Sequence, residues 1–165
     1  MAEAEGEAFW QFSLAFYGRP GVSAACLELQ DRHGRDVNLV LYLCWLGLSG
    51  RGRIAAGDLA RADDVITAWR RRAIEPLRAA RRALKPAEQK GVVQLYEAAK
   101  AVELAAERLG QHRLAALAPP PAPRTAEDCA ADAAANLALY LDDAATRQAA
   151  APIFAAITVP SAPIP

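Results

Sequence analysis

No stretch of this chain is apolar over the roughly 20 residues that a membrane-spanning helix needs. The longest hydrophobic run, residues 37–48, covers only about 12 residues. The first residues are acidic, whereas a secretory signal peptide begins with basic ones. We therefore expect a cytoplasmic protein without a membrane span.

Neither sign of charge is in excess. Nineteen basic residues balance nineteen acidic ones, so the formal net charge is zero. Proteins that bind nucleic acid usually present a strongly basic surface. Nucleic acid is therefore not an expected partner, and only a local cluster of basic residues could bind an anion.

Cysteine and histidine are few and scattered. Cys26, Cys44 and Cys129 form no CxxC pair, and an odd number of isolated cysteines indicates small buried side chains. Glu103 and Glu107 have a spacing that a di-metal helical bundle could use, but such sites also need Glu-x-x-His pairs. Neither of the two histidines belongs to such a pair. We expect no metal and no other cofactor.

The sequence motifs of common enzymes are missing too. There is no G-x-G-x-x-G, no P-loop and no G-x-S-x-G. His33 with Asp31 or Asp36 could act as an acid–base pair, but no nucleophile accompanies them. Helix capping by Asp36 and the favourable position of His33 at a helix end explain these residues without catalysis. We expect no catalytic residue.

The most apolar segment, residues 36–48, is the one around which the rest of the chain is organised. Hydrophobic side chains surround it almost completely, and a helix that is apolar all round must be buried on all sides. Asp36 is a suitable N-cap for it. The sequence therefore predicts an all-α protein, a compact multi-helix bundle around a buried central helix at about 36–49.

The proline content divides the chain. We expect a helical core domain over residues 1–118, a Pro-rich linker over 119–124, an Ala-rich C-terminal helix over 125–150 and an irregular tail over 151–165. Thr125 and Asp128 form an approximate capping box for the last helix. Alanine favours helix but buries little area, so this helix is expected at the periphery.

Two long helices are predicted on either side of Pro86, at about 57–85 and 87–117. Pro76 should kink or split the first one. The first helix has a basic face of Arg70, Arg71, Arg78, Arg81, Arg82 and Lys85. The second has an apolar stripe, expected to be its buried side, of Leu95, Ala98, Val102, Ala105, Ala106 and Leu109.

The basic face has two interpretations. In the first, antiparallel packing of the two helices sets it against acidic residues of the second helix. The aligned pairs are then Arg78 with Glu97, and Arg70 and Arg71 with Glu103 and Glu107. In the second, the face is exposed and binds an acidic protein surface or an anionic small molecule. The match in position and sign of charge favours the internal ion pairs. A mixture of the two is a third alternative, with Arg81, Arg82 and Lys85 left free near the turn.

A second polar cluster lies before the central helix. It contains Gln30 and Asp31, and Asn38 is placed where the helix enters the core and a buried amide needs partners. The candidate binding residues are thus Gln30, Asp31, Asn38, Arg70, Arg78, Arg81, Arg82, Glu103 and Glu107.

Several short motifs occur together in order: Phe9-Trp10-Gln11-Phe12-Ser13-Leu14, Leu29-Gln30-Asp31, Asp36-Val37-Asn38-Leu39, Cys44-Trp45-Leu46, Trp69-Arg70 and Pro76-Leu77-Arg78. With them the chain resembles, over roughly residues 8–115, a family of small conserved hypothetical proteobacterial proteins, a domain of unknown function. The resemblance implies an all-helical cytoplasmic bacterial protein and carries no activity, substrate or site residue.

Two hypotheses for function follow. The preferred one is an interaction or adaptor protein without catalysis, which docks through the basic face or the aromatic first helix and needs a basic or apolar surface patch. Internal pairing of Arg70, Arg78 and Arg81 would count heavily against this hypothesis. The alternative is an enzyme or small-ligand-binding protein with a polar pocket between the central helix and the arginine–glutamate hairpin.

Overall fold

The chain folds as an all-α bundle, which confirms the predicted fold class. A computed structural model describes residues 2–84 and 90–158. Its helices are α1 (Ala2–Tyr17), α2 (Val22–His33), α3 (Val37–Leu48), α4 (Ala56–Trp69), α5 (Glu75–Ala83), α6 (Lys90–Ala115), α7 (Ala126–Tyr140), α8 (Ala144–Ala149) and α9 (Ala151–Thr158). Within these residues no strand is present.

Helix α3 is the buried centre of the bundle, as predicted. Every residue from Leu39 to Gly47 is buried. The Asp36 carboxylate accepts the backbone N–H groups of Asn38 and Leu39 and so caps the helix, an interaction worth about 0.5–2 kcal/mol. Phe9 of α1 stacks on Trp45 with the ring centroids 5.0 Å apart. The aromatic first helix therefore contributes to the core.

Pro76 coincides with an interruption of the helix that precedes it. Residues 70–74 between α4 and α5 form a π-helical turn, in which the N–H of Glu75 donates to the carbonyl of Arg70. A proline ring clashes with the carbonyl four residues earlier and has no N–H to donate. The π-helical turn places this discontinuity directly before Pro76, so the backbone continues into α5.

The C-terminal helix lies elsewhere than expected. Helix α7 packs along α3 instead of at the periphery, and α3 makes its most extensive contact with it. A Cβ added to Gly47 would come within 2.2 Å of the Ala133 backbone nitrogen. Small residues thus let the two helices approach closely, and this close approach compensates for the small area that each alanine buries.

The chain after α7 also differs from the prediction. The helix expected to run to residue 150 ends at Tyr140, and Asp143 caps the separate helix α8. Residues 151–158, expected to be irregular, form α9, where Ile153 and Ile157 join the core. The tail from Val159 onward, like Lys85 and Pro86, lies outside the described residues.

Of the six residues in the predicted apolar stripe of α6, only Ala106 is buried. Leu95, Val102 and Leu109 of its apolar stripe are 56%, 52% and 46% exposed. The buried side contains Glu103 instead, together with Gly110, where a Cβ would lie 2.9 Å from the Trp69 ring. Ion pairs and a close contact at glycine therefore hold α6 on the bundle.

Candidate functional site

The basic face of α5 is paired with carboxylates of α6. Arg78 donates through Nε to Glu103 at 2.9 Å and through Nη2 to Glu107 at 2.9 Å. Arg81 donates through Nε to the second oxygen of Glu103 at 2.5 Å. Glu103 is 6% exposed, so both guanidinium groups bind a carboxylate that water hardly reaches. The internal ion pairs are therefore the arrangement that this hairpin adopts.

A second set of contacts connects this hairpin to α3. Arg70 donates to the capping carboxylate of Asp36 at 3.0 Å. Gln111 donates to the amide oxygen of Asn38 at 2.9 Å, which gives Asn38 the partner that its position required. Tyr140 accepts the backbone N–H of Asp36 at 3.0 Å. The start of the central helix is thus anchored by α4–α5, α6 and α7 together.

The pKa values of the carboxyl groups in this network are shifted in opposite directions. Burial raises the pKa of Glu107 and of Asp36 above their ordinary values, although Arg78 and Arg70 oppose it. Burial also favours protonation of Glu103, but the hydrogen bonds from Arg81 and Arg78 outweigh it and lower the pKa of Glu103. The side chains of this network are engaged with one another, and their hydrogen bonds join α5 to α6 and Arg70 to the start of α3.

The structure brings together six of the nine predicted binding residues: Asn38, Arg70, Arg78, Arg81, Glu103 and Glu107. Arg82 is exposed, and its side chain, like those of Gln30 and Asp31, forms no hydrogen bond or ion pair within the described chain. The predicted alignment of pairs is also displaced. Arg78 pairs with Glu103 and Glu107 instead of Glu97, because α5 ends at Ala83 and α6 begins only at Lys90.

An exposed apolar surface on α6 was missed because its residues were assigned to the core. This surface, called the α6 stripe here, consists of Leu95, Ala98, Val102, Ala105 and Leu109, all of them exposed. The spacing alternates between three and four residues, as in the a and d positions of a coiled coil. Large side chains occupy a and alanine occupies d, and no charged residue interrupts the stripe.

A cavity of about 170 Å³ lies at the other end of α3. It is bounded by Tyr42 and Leu46 of α3, the loop 51–54, the start of α4 and the segment after α6. Three of its lining residues are arginines, Arg51, Arg53 and Arg61, and one is an aspartate, Asp58. The sequence offers one signal for this site, the basic loop Arg51-Gly52-Arg53.

Helix α7 holds that loop in place. Asn136 is 1% exposed; its amide donates to the carbonyl of Gly52 at 3.0 Å and accepts the N–H of Ile54 at 2.8 Å. Asp132 accepts from Arg53 at 3.0 Å and from Arg124 at 2.6 Å. The sequence signal for these roles is that Asp132 and Asn136 are polar residues in an alanine-rich helix. That signal does not indicate which part of the chain they contact.

Two features are absent from the described part of the chain. No group of three or more His, Cys, Asp or Glu side chains in residues 2–84 and 90–158 is placed to hold a metal ion. Over the same residues, no helix has the length and apolar character needed to cross a membrane.

Comparison with known proteins identifies the family. No curated protein and no solved structure matches the chain significantly. A family model described as "Protein of unknown function (DUF2390)" matches residues 8–114, which is more than half of the 165 residues. The match confirms the resemblance seen in the sequence motifs, and the printed description names no activity. The chain therefore belongs to this family, DUF2390.

Proposed function

We propose that this protein is a non-catalytic interaction protein that docks through the α6 stripe, and that the docked partner is a second copy of the same chain. The observation that carries the proposal is the exposure of Leu95, Val102 and Leu109, each about half exposed on one helix face. Isolated exposed apolar residues are ordinary. A continuous row at coiled-coil spacing on a helix is typical of a helix–helix interface.

The pattern of large and small residues supports a second copy in antiparallel orientation. When two such helices run antiparallel, a positions of one lie against d positions of the other. Leu109 then opposes Ala98 of the second copy, and Val102 opposes Ala105, so that large residues fill the space beside small ones. A parallel pair would set leucine against leucine and leave a gap between alanines.

The residues beside the stripe add no repulsion to this pairing. Its flanking positions include Gln94, Ala99 and Ala101, which are uncharged. Arg108, also at the edge, is already paired with Glu7 of α1. Two copies of the surface can therefore meet without bringing like charges together.

The basic face supports docking less well than the apolar one. Arg70, Arg78 and Arg81 each have an acidic partner within the chain. An acidic protein that bound there would first have to displace those carboxylates. The same pairing occupies Arg78 and Glu103, two of the residues that the polar pocket of the alternative hypothesis would use.

A cytoplasmic location and a bacterial origin are part of the same proposal. Free cysteines support a reducing compartment, since Cys26, Cys44 and Cys129 are all unpaired. Burial also raises the pKa of Cys26 to about 12, so this thiol is unreactive at neutral pH.

Sedimentation velocity over a range of protein concentrations tests the docking surface. We expect the wild-type chain to associate to a dimer. Val102→Glu should weaken the dimer by about a hundredfold, because association would bury an unpaired carboxylate. Leu27→Glu is the matched control: Leu27 is 48% exposed on α2, away from the stripe, and its replacement should leave the dimer intact.

Circular dichroism establishes that both variants remain helical. A wild-type chain that stays monomeric at every concentration would contradict the proposal. So would a dimer that the two variants weaken equally, because the contact would then lie on another surface.

A further inference from the structure

The cavity beside the loop 51–54 is independent of the α6 stripe and of the ion-pair network. Its lining residues are rich in hydrogen-bond donors: they include three arginines and Tyr42 but a single acidic residue, Asp58. Guanidinium groups have donors and no acceptors. The chemistry of the wall therefore matches a ligand that supplies acceptors and negative charge.

Arg51 is built into this wall. Its side chain is 6% exposed and pairs with Glu5; Nη1 also donates to the Ser49 hydroxyl at 3.1 Å. Its guanidinium lies over the Trp45 ring, 4.2 Å from the centroid. These contacts fix the group in one orientation, yet its buried Nε has no hydrogen-bond partner. A fixed donor without an acceptor is costly unless a bound molecule supplies one.

Tyr42 contributes a further hydrogen-bond donor to the cavity. The residue is 2% exposed and lines the cavity. Its hydroxyl makes no hydrogen bond within the described chain and is not sealed from solvent, so a small molecule in the cavity can reach it. Burial raises the pKa of Tyr42, so the hydroxyl keeps its proton and can donate it in a hydrogen bond.

Arg61 supplies a positive charge that is not neutralised by an ion pair within the described residues. Arg51 and Arg53 have acidic partners in Glu5 and Asp132. The cavity volume, about 170 Å³, is below the roughly 300–1,000 Å³ of sites for drug-sized ligands. The ligand must therefore be small.

We propose that this cavity binds a small oxyanion, with a phosphate or carboxylate group held by Tyr42, Arg51 and Arg61. Arginine binds both groups through paired N–H donors. Asn136 and Asp132 of α7 act as positioning residues, because they fix the loop that carries Arg53 without lining the cavity themselves.

A titration of the full chain followed by ¹H–¹⁵N NMR tests the site. One arm uses inorganic phosphate and the other malonate, at constant ionic strength set with sodium chloride. We expect saturable shifts of the Arg51 Nε–H and Gly52 amide signals. The anion that binds more tightly, phosphate or the dicarboxylate malonate, identifies whether the cavity prefers a phosphate or a carboxylate group.

Variants locate the binding. Tyr42→Phe keeps the ring and Arg61→Gln changes an exposed residue, so both should fold; each should weaken binding about tenfold through a lost hydrogen bond or charge. Arg72→Gln, an exposed arginine away from the cavity, is the matched control and should bind as the wild type does. The proposal is overturned if neither anion gives saturable shifts at these signals, or if Tyr42→Phe and Arg61→Gln bind as tightly as Arg72→Gln.

Discussion

Arg78 of α5 binds two carboxylates of α6 at once, with its Nε 2.9 Å from Glu103 and its Nη2 2.9 Å from Glu107. Arg81 reaches the remaining oxygen of Glu103. One glutamate therefore joins two arginines, and α5 has no fully buried apolar residue to add to the contact. Polar contacts thus dominate the attachment of α5 to the bundle.

Replacing Glu103 should therefore destabilise the protein strongly. Glu103→Gln leaves two half-buried arginines without their shared carboxylate, and we expect the free energy of unfolding to fall by about 2–4 kcal/mol. Urea denaturation measures the change. Glu97→Gln removes the same charge from the same helix. Glu97 is exposed, however, and its ion pair is a loose one, with the Lys100 Nζ 3.9 Å away. It should change stability by about 0.5 kcal/mol or less. If both variants lowered the free energy of unfolding equally, the buried ion pairs of Glu103 would contribute no more to stability than the exposed pair of Glu97.

The pH dependence of stability gives a separate check on Glu103. Its pKa in the folded state is lowered from the ordinary value of 4.5. The folded state therefore favours the ionised form of Glu103, and that ionised carboxylate stabilises the fold. Its contribution is fully present above about pH 4.5 and is lost as the pH falls through the folded-state pKa. Glu107 and Asp36 have raised pKa values and act in the opposite direction, so the total profile mixes the three.

The difference between wild type and Glu103→Gln contains the Glu103 contribution together with its effect on Glu107, whose pKa the Glu103 charge raises. Denaturation at a series of pH values should give a stability difference that is constant near neutrality and shrinks below about pH 4.5. A difference that grows on acidification would mean that folding favours the protonated form of Glu103.

Gly47 should not tolerate a side chain. A Cβ there would lie 2.2 Å from the Ala133 backbone nitrogen, so α3 and α7 would have to separate. We expect Gly47→Ala to destabilise the fold by about 3 kcal/mol or more. Gly91→Ala is the matched control in α6, where a Cβ meets nothing within 4 Å. Because alanine favours helix, it should stabilise by about 0.5–1 kcal/mol. Thermal melts compare the two; a tolerated Gly47→Ala would contradict close packing of α3 on α7.

The fold could be predicted from sequence where a local pattern has one physical outcome. A helix apolar all round, such as α3, has to be buried whatever surrounds it. Thr125 accepts the N–H of Asp128 in a cap that depends only on near neighbours. By contrast, Asn136 gains its role from the loop 51–54, far away in the chain. No local pattern contains that contact, so the cavity could not be predicted.

The orientation of α6 shows a second limit. An apolar stripe tells which face of a helix avoids water, but it does not say whether the same chain covers that face. Here the ion pairs of Glu103 and the contact between Gly110 and Trp69 turn the acidic side inward. The prediction of a buried stripe thus assigned to the core a surface that we propose is covered by a second copy.

Disulfide crosslinking distinguishes the proposed antiparallel pairing from the other ways in which two stripes could meet. In a Cys129→Ala background, Ala98→Cys and Leu109→Cys should crosslink with each other when the two proteins are mixed. Neither should crosslink with itself, because two copies of the same position lie about 11 residues apart along the helices, or about 16 Å. A disulfide needs Cα atoms within about 7 Å.

A parallel pair in register reverses this result, since each position would then meet its own copy. Mass spectrometry of the oxidised mixture therefore separates the two geometries by product alone. Leu27→Cys on α2 controls for random collision between exposed thiols and should give only background crosslinking. If self-crosslinked Ala98→Cys dominates, the antiparallel arrangement is wrong. If no product exceeds the Leu27→Cys background, a second copy does not cover the α6 stripe.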